Sequence, residues 1–127
     1  MSEITPENIQ EKINLFQQMQ QQSQALAQQI SQVDISIAET ERTLEELKNT
    51  NKKNTIYRAI GSIMKKIENV KKLKNDLKEE NETMEIRNNR LKNQLNKLNK
   101  QIEDLQQLVG ENFPDIRKTI NVFQKSI

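Results

Sequence analysis

The sequence predicts a mostly α chain: a long antiparallel helical coiled-coil hairpin with a short β-hairpin between its two helices. Three observations carry this expectation. Apolar residues recur at alternating steps of three and four through both halves of the chain, which is the spacing of a coiled-coil seam. β-Branched and aromatic residues cluster around a glycine near the middle, over 55–67, a composition that favours strands. The 127 residues hold only two Gly and two Pro, too few breakers for a loop-rich fold.

The first arm is expected over about 6–48. Thr5-Pro6-Glu7 reads as a helix start, with Thr as N-cap, Pro at the first helical position and an acid in the first turn. Phe16, Ser23, Ile30, Ile37 and Leu44 then hold one seam position, and Met19, Leu26, Val33, Thr40 and Leu47 the other. Only Ser23 and Thr40 in that set are polar, while the residues between are mostly Gln, Glu, Ser and Asn. The stripe is therefore narrow and the rest of the helix solvated. The Gln-rich run over 17–32 keeps the same period, so it belongs to the helix. Upstream, Ile9 continues the seam, while Ile13 and Leu15 lie beside it and widen the apolar face. Packing of a fraying end against the second helix is the plain reading of that widening.

A polar break over 49–54 ends the first arm. Ile56, Tyr57 and Ile60, then Gly61-Ser62, then Ile63, Met64 and Ile67 fit two short strands joined by a tight turn. Gly61 suits the turn because, lacking Cβ, it reaches φ > 0 at little cost. A two-stranded hairpin is marginal alone in water, so this one must pair with something else. The competing reading of 55–67 is a kinked helical joint.

The second arm is expected over about 69–109, with Glu68-Asn69 as its cap. Val70, Leu77, Met84, Leu91, Leu98 and Leu105 repeat every seven residues. Their seam partners change from Leu73 early to Leu95, Ile102 and Val109 late. The seam thus drifts over 80–90, where Glu80, Arg87 and Asn88 interrupt it, as a weakly packed middle or a change of partner. Gly110 is expected to end the helix as its C′ residue. Folding the chain at Gly61 brings Phe16 opposite Leu105 and Val109, so both chain ends meet at one tip. In the tail over 111–127, Phe113-Pro114 breaks the helix. Ile116, Ile120, Phe123 and Ile127 then outline a short amphipathic helix that folds back on the tip, binds a partner or stays mobile.

Composition removes most chemistry. There is no Cys and no His, hence no disulfide, thiolate or imidazole ligand. No Gly-rich phosphate loop, nucleophile elbow or metal-spaced cluster appears. Glu45-Glu46 and Glu79-Glu80 lie on solvated helix faces. No catalytic residue, cofactor or metal is expected, and the chain is not read as an enzyme. Net charge is +2, too small to imply nucleic acid. Lys65, Lys66, Lys71, Lys72, Lys74 and Lys78 make the best case for nucleic acid or membrane contact, yet they lack interleaved aromatics and are followed by Asp76, Glu79, Glu80 and Glu82. A solvated basic face is expected, with neither as partner. No apolar run approaches the ~20 residues of a membrane span and no signal peptide opens the chain, so a cytoplasmic location is expected.

Helix, hairpin, helix with Ile56-Tyr57-Arg58-Ala59-Ile60-Gly61 as first strand resembles a beta-class subunit of the prefoldin family. There a Tyr or Phe, a short spacer, an apolar residue and Gly open the hairpin, as Tyr57, Ile60 and Gly61 do here. The resemblance covers roughly 6–109 and makes 1–110 one prefoldin-like coiled coil. Alpha-class subunits carry two hairpins, and only one has room here. The resemblance implies a hexamer whose hairpins form an intersubunit β-barrel, with Ile56, Tyr57, Ile60, Gly61, Ile63, Met64 and Ile67 as the oligomerisation set. Partners would be alpha-class subunits and other beta-class subunits. It also implies ATP-independent holding of unfolded client proteins and delivery to a group II chaperonin. Clients would be gripped at the coiled-coil tips, here Ile4, Ile9, Ile13, Leu15, Phe16, Met19, Leu105, Leu108 and Val109. Several weak tips on one client would replace a single tight site. Two departures stand out: Met64-Lys65-Lys66 where the family's second strand is usually more apolar, and a longer, more apolar tail after Gly110. The alternative is a structural or tethering coiled coil that dimerises through both seams and holds no client.

Overall fold

The computed structural model describes residues 5, 7–51 and 53–112. Its elements are helix α1 (Ile9–Lys48), strands β1 (Ile56–Ile60) and β2 (Ile63–Ile67), and helix α2 (Val70–Asn112). Two long helices with an antiparallel β-hairpin between them bear out the expected fold class and set aside the kinked joint. The chain divides into two compact units, one built from 1–30 with 90–127 and the other from 31–89. Ile4, Pro6 and the amphipathic helix expected over 116–127 lie outside the described residues.

In the first unit, Phe16, Met19, Ile102, Leu105 and Val109 form a buried cluster, with Ile9, Leu98 and Leu108 packed against it. Phe16 therefore meets Leu105 and Val109, as folding at Gly61 requires. The polar seam residue Ser23 is accommodated because its hydroxyl donates to Asn99 Oδ1 across the helix pair at 2.8 Å. Two helix ends in this unit differ from expectation. Thr5 does not stand next to the helix, which begins at Ile9: the Thr5 N–H donates to Asn8 Oδ1 at 2.7 Å, and the Asn8 N–H donates to the Thr5 carbonyl. That turn precedes the helix, and the Asn8 carbonyl accepts the first helical bond, from Lys12. Gly110 is not a C′ residue either. It is a buried residue inside α2, and Gly61 is the one glycine with positive φ. Burial of Val109 and Leu105 offsets the roughly 1 kcal/mol that an interior glycine costs a helix. The Asn112 side chain then donates to the Leu108 carbonyl at 2.8 Å, satisfying one terminal acceptor.

In the second unit, Leu47, Leu73 and Leu77 are buried, with Leu44, Val70, Ile56 and Ile67 packed against them. Thr40, the other polar seam residue, turns its hydroxyl to the Ser36 carbonyl of its own helix, the usual solution for a hydroxyl facing inward. The drift expected over 80–90 resolves into a switch. Beyond Leu77 the second seam position is held by Asn81 and then Asn88, four residues after each heptad leucine or methionine rather than three. Asn88 is only 3% exposed and its Nδ2 donates to Asp34 Oδ1 at 2.6 Å. Glu80 and Arg87 lie outside this seam, on the exposed face. Asn69 caps α2 as expected: its Oδ1 accepts the Lys72 N–H at 3.0 Å.

The hairpin register pairs Ile56 with Ile67, Tyr57 with Lys66, Arg58 with Lys65, Ala59 with Met64 and Ile60 with Ile63. Gly61 has φ 59° while no other described residue is positive, the pattern of a type II′ turn whose twist matches that of the strands.

Two predictions follow from this packing. Leu105→Ala should cost about 3 kcal/mol in urea unfolding followed by far-UV circular dichroism, whereas Ile35→Ala, on an exposed position, should move it by less than about 0.5 kcal/mol. Gly61→Val puts a β-branched residue at positive φ, costing about 1–2 kcal/mol. With one Tyr and no Trp in the chain, Tyr57 fluorescence anisotropy should fall as the hairpin opens while helical signal persists.

Candidate functional site

Two surfaces emerge, one in each unit, and the hairpin is the first. Directly opposed residues of an antiparallel pair share a face, so the register places Ile56, Arg58, Ile60, Ile63, Lys65 and Ile67 together. Tyr57, Ala59, Met64 and Lys66 occupy the other face. Ile56 and Ile67 anchor the hairpin's base to the second unit's core. Arg58 Nη2 donates to both carboxylate oxygens of Glu80, at 2.9 and 3.2 Å, tying the strand to α2. Both groups are well exposed, so this bridge orients the strand more than it stabilises it. A cavity of about 350 Å³ beneath the hairpin is lined by Arg58, Lys65, Ile67, Lys72 and Leu73, among others.

Past this anchor the hairpin is open. Tyr57, Ile60, Ile63 and Met64 are 55%, 54%, 65% and 66% exposed. The sheet has two strands, so each strand presents one row of backbone donors and acceptors outward. The expected oligomerisation set thus divides into base residues that face inward, Ile56 and Ile67, a turn residue, Gly61, and four apolar side chains with little covering them. Sequence reasoning missed Glu80 as the hairpin's ionic anchor, because a carboxylate on a helix carries no sign of a strand that returns to it.

The second surface lies in the first unit. Of the expected tip set, Phe16, Met19, Leu105 and Val109 are buried in the unit's own core, and Ile9 and Leu108 are packed against it. Ile13 is half-buried, and Leu15, 42% exposed, faces outward. Ile4 lies outside the described residues. Leu15, Met19, Leu98 and Leu105, with Lys12 and Asp104, line an open groove of about 430 Å³. Leu98 is the residue the tip set lacked. Its place beside Asn99, the partner of Ser23, could have been found by counting both arms outward from the turn. Among the described residues no acidic cluster is placed to hold a metal ion, and no helix is long and apolar enough to cross a membrane.

Comparison with known proteins gives one family. The profile described as "Prefoldin subunit" matches residues 10–115. A prefoldin subunit beta of Methanospirillum hungatei is 39% identical over 64 residues, 50% of this chain and 52% of that protein. One from Archaeoglobus fulgidus is 38% identical over 66 residues, 52% of this chain and 56% of that protein. The chain thus spans about half the length of these curated relatives. The crystal structure of the prefoldin beta subunit from Thermococcus strain KS-1 superposes with a TM-score of 0.74 at 28% identity, covering 88% of this chain and 96% of that one. The profile covers most of the chain and the fold superposes on that of a beta subunit, so the chain belongs to the prefoldin subunit family, its matches being to beta subunits.

Proposed function

We propose that this chain is a beta-class subunit of a hexameric, ATP-independent chaperone that holds non-native proteins and delivers them to a group II chaperonin. The observation that carries this reading is the hairpin: four exposed apolar side chains on a sheet of two strands. Such a sheet gains stability by adding strands from other chains, because edge backbone groups then pair and apolar side chains leave water. Alpha-class subunits and further beta-class subunits would supply those strands. Delivery to a chaperonin would place the complex in the cytoplasm.

For client holding, the open groove beside Leu15 and Leu98 is better suited than the full apolar tip. Phe16, Leu105 and Val109 already fill the unit's core, and exposing them would forfeit the burial that joins the helices. A shallow apolar groove binds an unfolded segment weakly, and several such grooves on one assembly would hold it through avidity. A tethering coiled coil would use the same seams without needing strands or a groove.

Native mass spectrometry of the complex recovered from the source cell tests the assembly. Six subunits including a longer two-hairpin partner support it, whereas a dimer of this chain alone points to the tether. Tyr57→Asp with Ile60→Asp should dissolve the assembly while leaving helicity near wild type, and an unchanged mass would sink the hairpin as the joining surface. Leu15→Ser with Leu98→Ser should weaken suppression of aggregation of a denatured client several-fold and spare assembly; undiminished holding would remove the groove.

A further inference from the structure

We propose that the outer edge of β2 selects an acidic strand on a different subunit and disfavours a second copy of this chain. The inference rests on the assembly reading above and names the chemistry of the partner at that surface. Within 55–67 the charged residues are Arg58, Lys65 and Lys66, all cations. The register sets Arg58 directly opposite Lys65, and like charges facing each other across strands are unfavourable. Glu80 relieves only one of the two, since its carboxylate is engaged by Arg58. Lys65 has no acidic partner within bridging distance among the described residues, and Lys66 reaches Glu68 only at 4.0 Å with both groups well exposed.

The strand residues of a second copy, whether from β1 or β2, would bring only further cations to this edge, the nearest carboxylate, Glu68, lying one residue past β2 beside Lys66. Its backbone would pair as well as any other, and the apolar contacts of Tyr57, Ile60, Ile63 and Met64 do not distinguish partners. Charge does. Glu68 and Asp76 line the same cavity as Lys65 without bridging to it, so a carboxylate on the neighbouring strand facing Lys65 would supply its missing close counterion, and attraction to an acidic strand and repulsion of self act together. This makes Lys65 and Lys66 specificity-determining residues of the joining edge.

The test uses the full chain, an isotopically labelled Lys65→Glu/Lys66→Glu variant and a Lys65→Gln/Lys66→Gln variant, all changed at exposed positions. At low ionic strength the Gln variant should self-associate about tenfold more tightly than wild type, as expected when two like-charge contacts are removed. Added salt should narrow that gap by screening. In an equimolar mixture of wild type and the Glu variant, native mass spectrometry should find mixed species in excess of statistical pairing. Equal self-association of wild type and the Gln variant, or mixing that is statistical or absent, would overturn charge selection. Adding Tyr57→Asp and Ile60→Asp to the wild-type partner separates the two layers. Mixed species that survive those changes would mean the hairpin is not the joining surface, and both readings fail. Statistical mixing that those changes abolish would keep the assembly reading and discard only the charge rule.

Discussion

A helix that is polar everywhere except along a narrow stripe can hide its apolar side chains only against a matching stripe, and α1 and α2 provide one for each other. With a third of the residues apolar there is no surplus for a broad core, so each unit is held by a single seam. In the first unit Phe16, Leu105 and Val109 are the most completely buried side chains. In the second, the leucines at 47, 73 and 77 do the same task and also receive the base of the hairpin. The hairpin is therefore mounted on the seam, and its position follows from the same apolar pattern that joins the helices.

Polar residues within the seam show how such a thin core tolerates exceptions. Ser23 bonds across to Asn99, Thr40 bonds back to its own helix, and Asn88 donates to Asp34 while remaining almost fully buried. The Oδ1 atoms of Asn81 and Asn88 have no protein partner among the described residues. A buried amide in a coiled-coil seam lowers stability yet fixes alignment, since a slipped register would leave its donor unpaired. Asn81 and Asn88 sit where the second seam position changes spacing, the place where alignment is otherwise least constrained by leucines.

The hairpin inverts this economy. Its base is packed and ion-paired, but its outer part leaves four apolar side chains and two strand edges in water. A monomer gains nothing from that arrangement, whereas an assembly does, because each added strand satisfies backbone groups and covers apolar surface at once. The cations at 58, 65 and 66 limit which strands can approach, so a sticky edge need not be an indiscriminate one.

Much of this was legible in the residues themselves. Heptad spacing is a local property, and every seam residue read from it is buried or half-buried. The strands and the Gly61-Ser62 turn were equally readable, because β-branched residues around a glycine that must take positive φ constrain the backbone directly. The contacts between distant segments were not. Gly110 continues α2 beside the buried Val109, and the turn that joins Thr5 to Asn8 precedes α1 rather than opening it. The tip residues divide into core and groove according to which side chains face the opposite helix. Two seams and a turn follow from the order of residues alone, since each is written in spacing along one segment. Which apolar residues remain exposed and which charge answers Arg58 emerge only once the chain has folded, because both depend on what a neighbouring segment leaves uncovered.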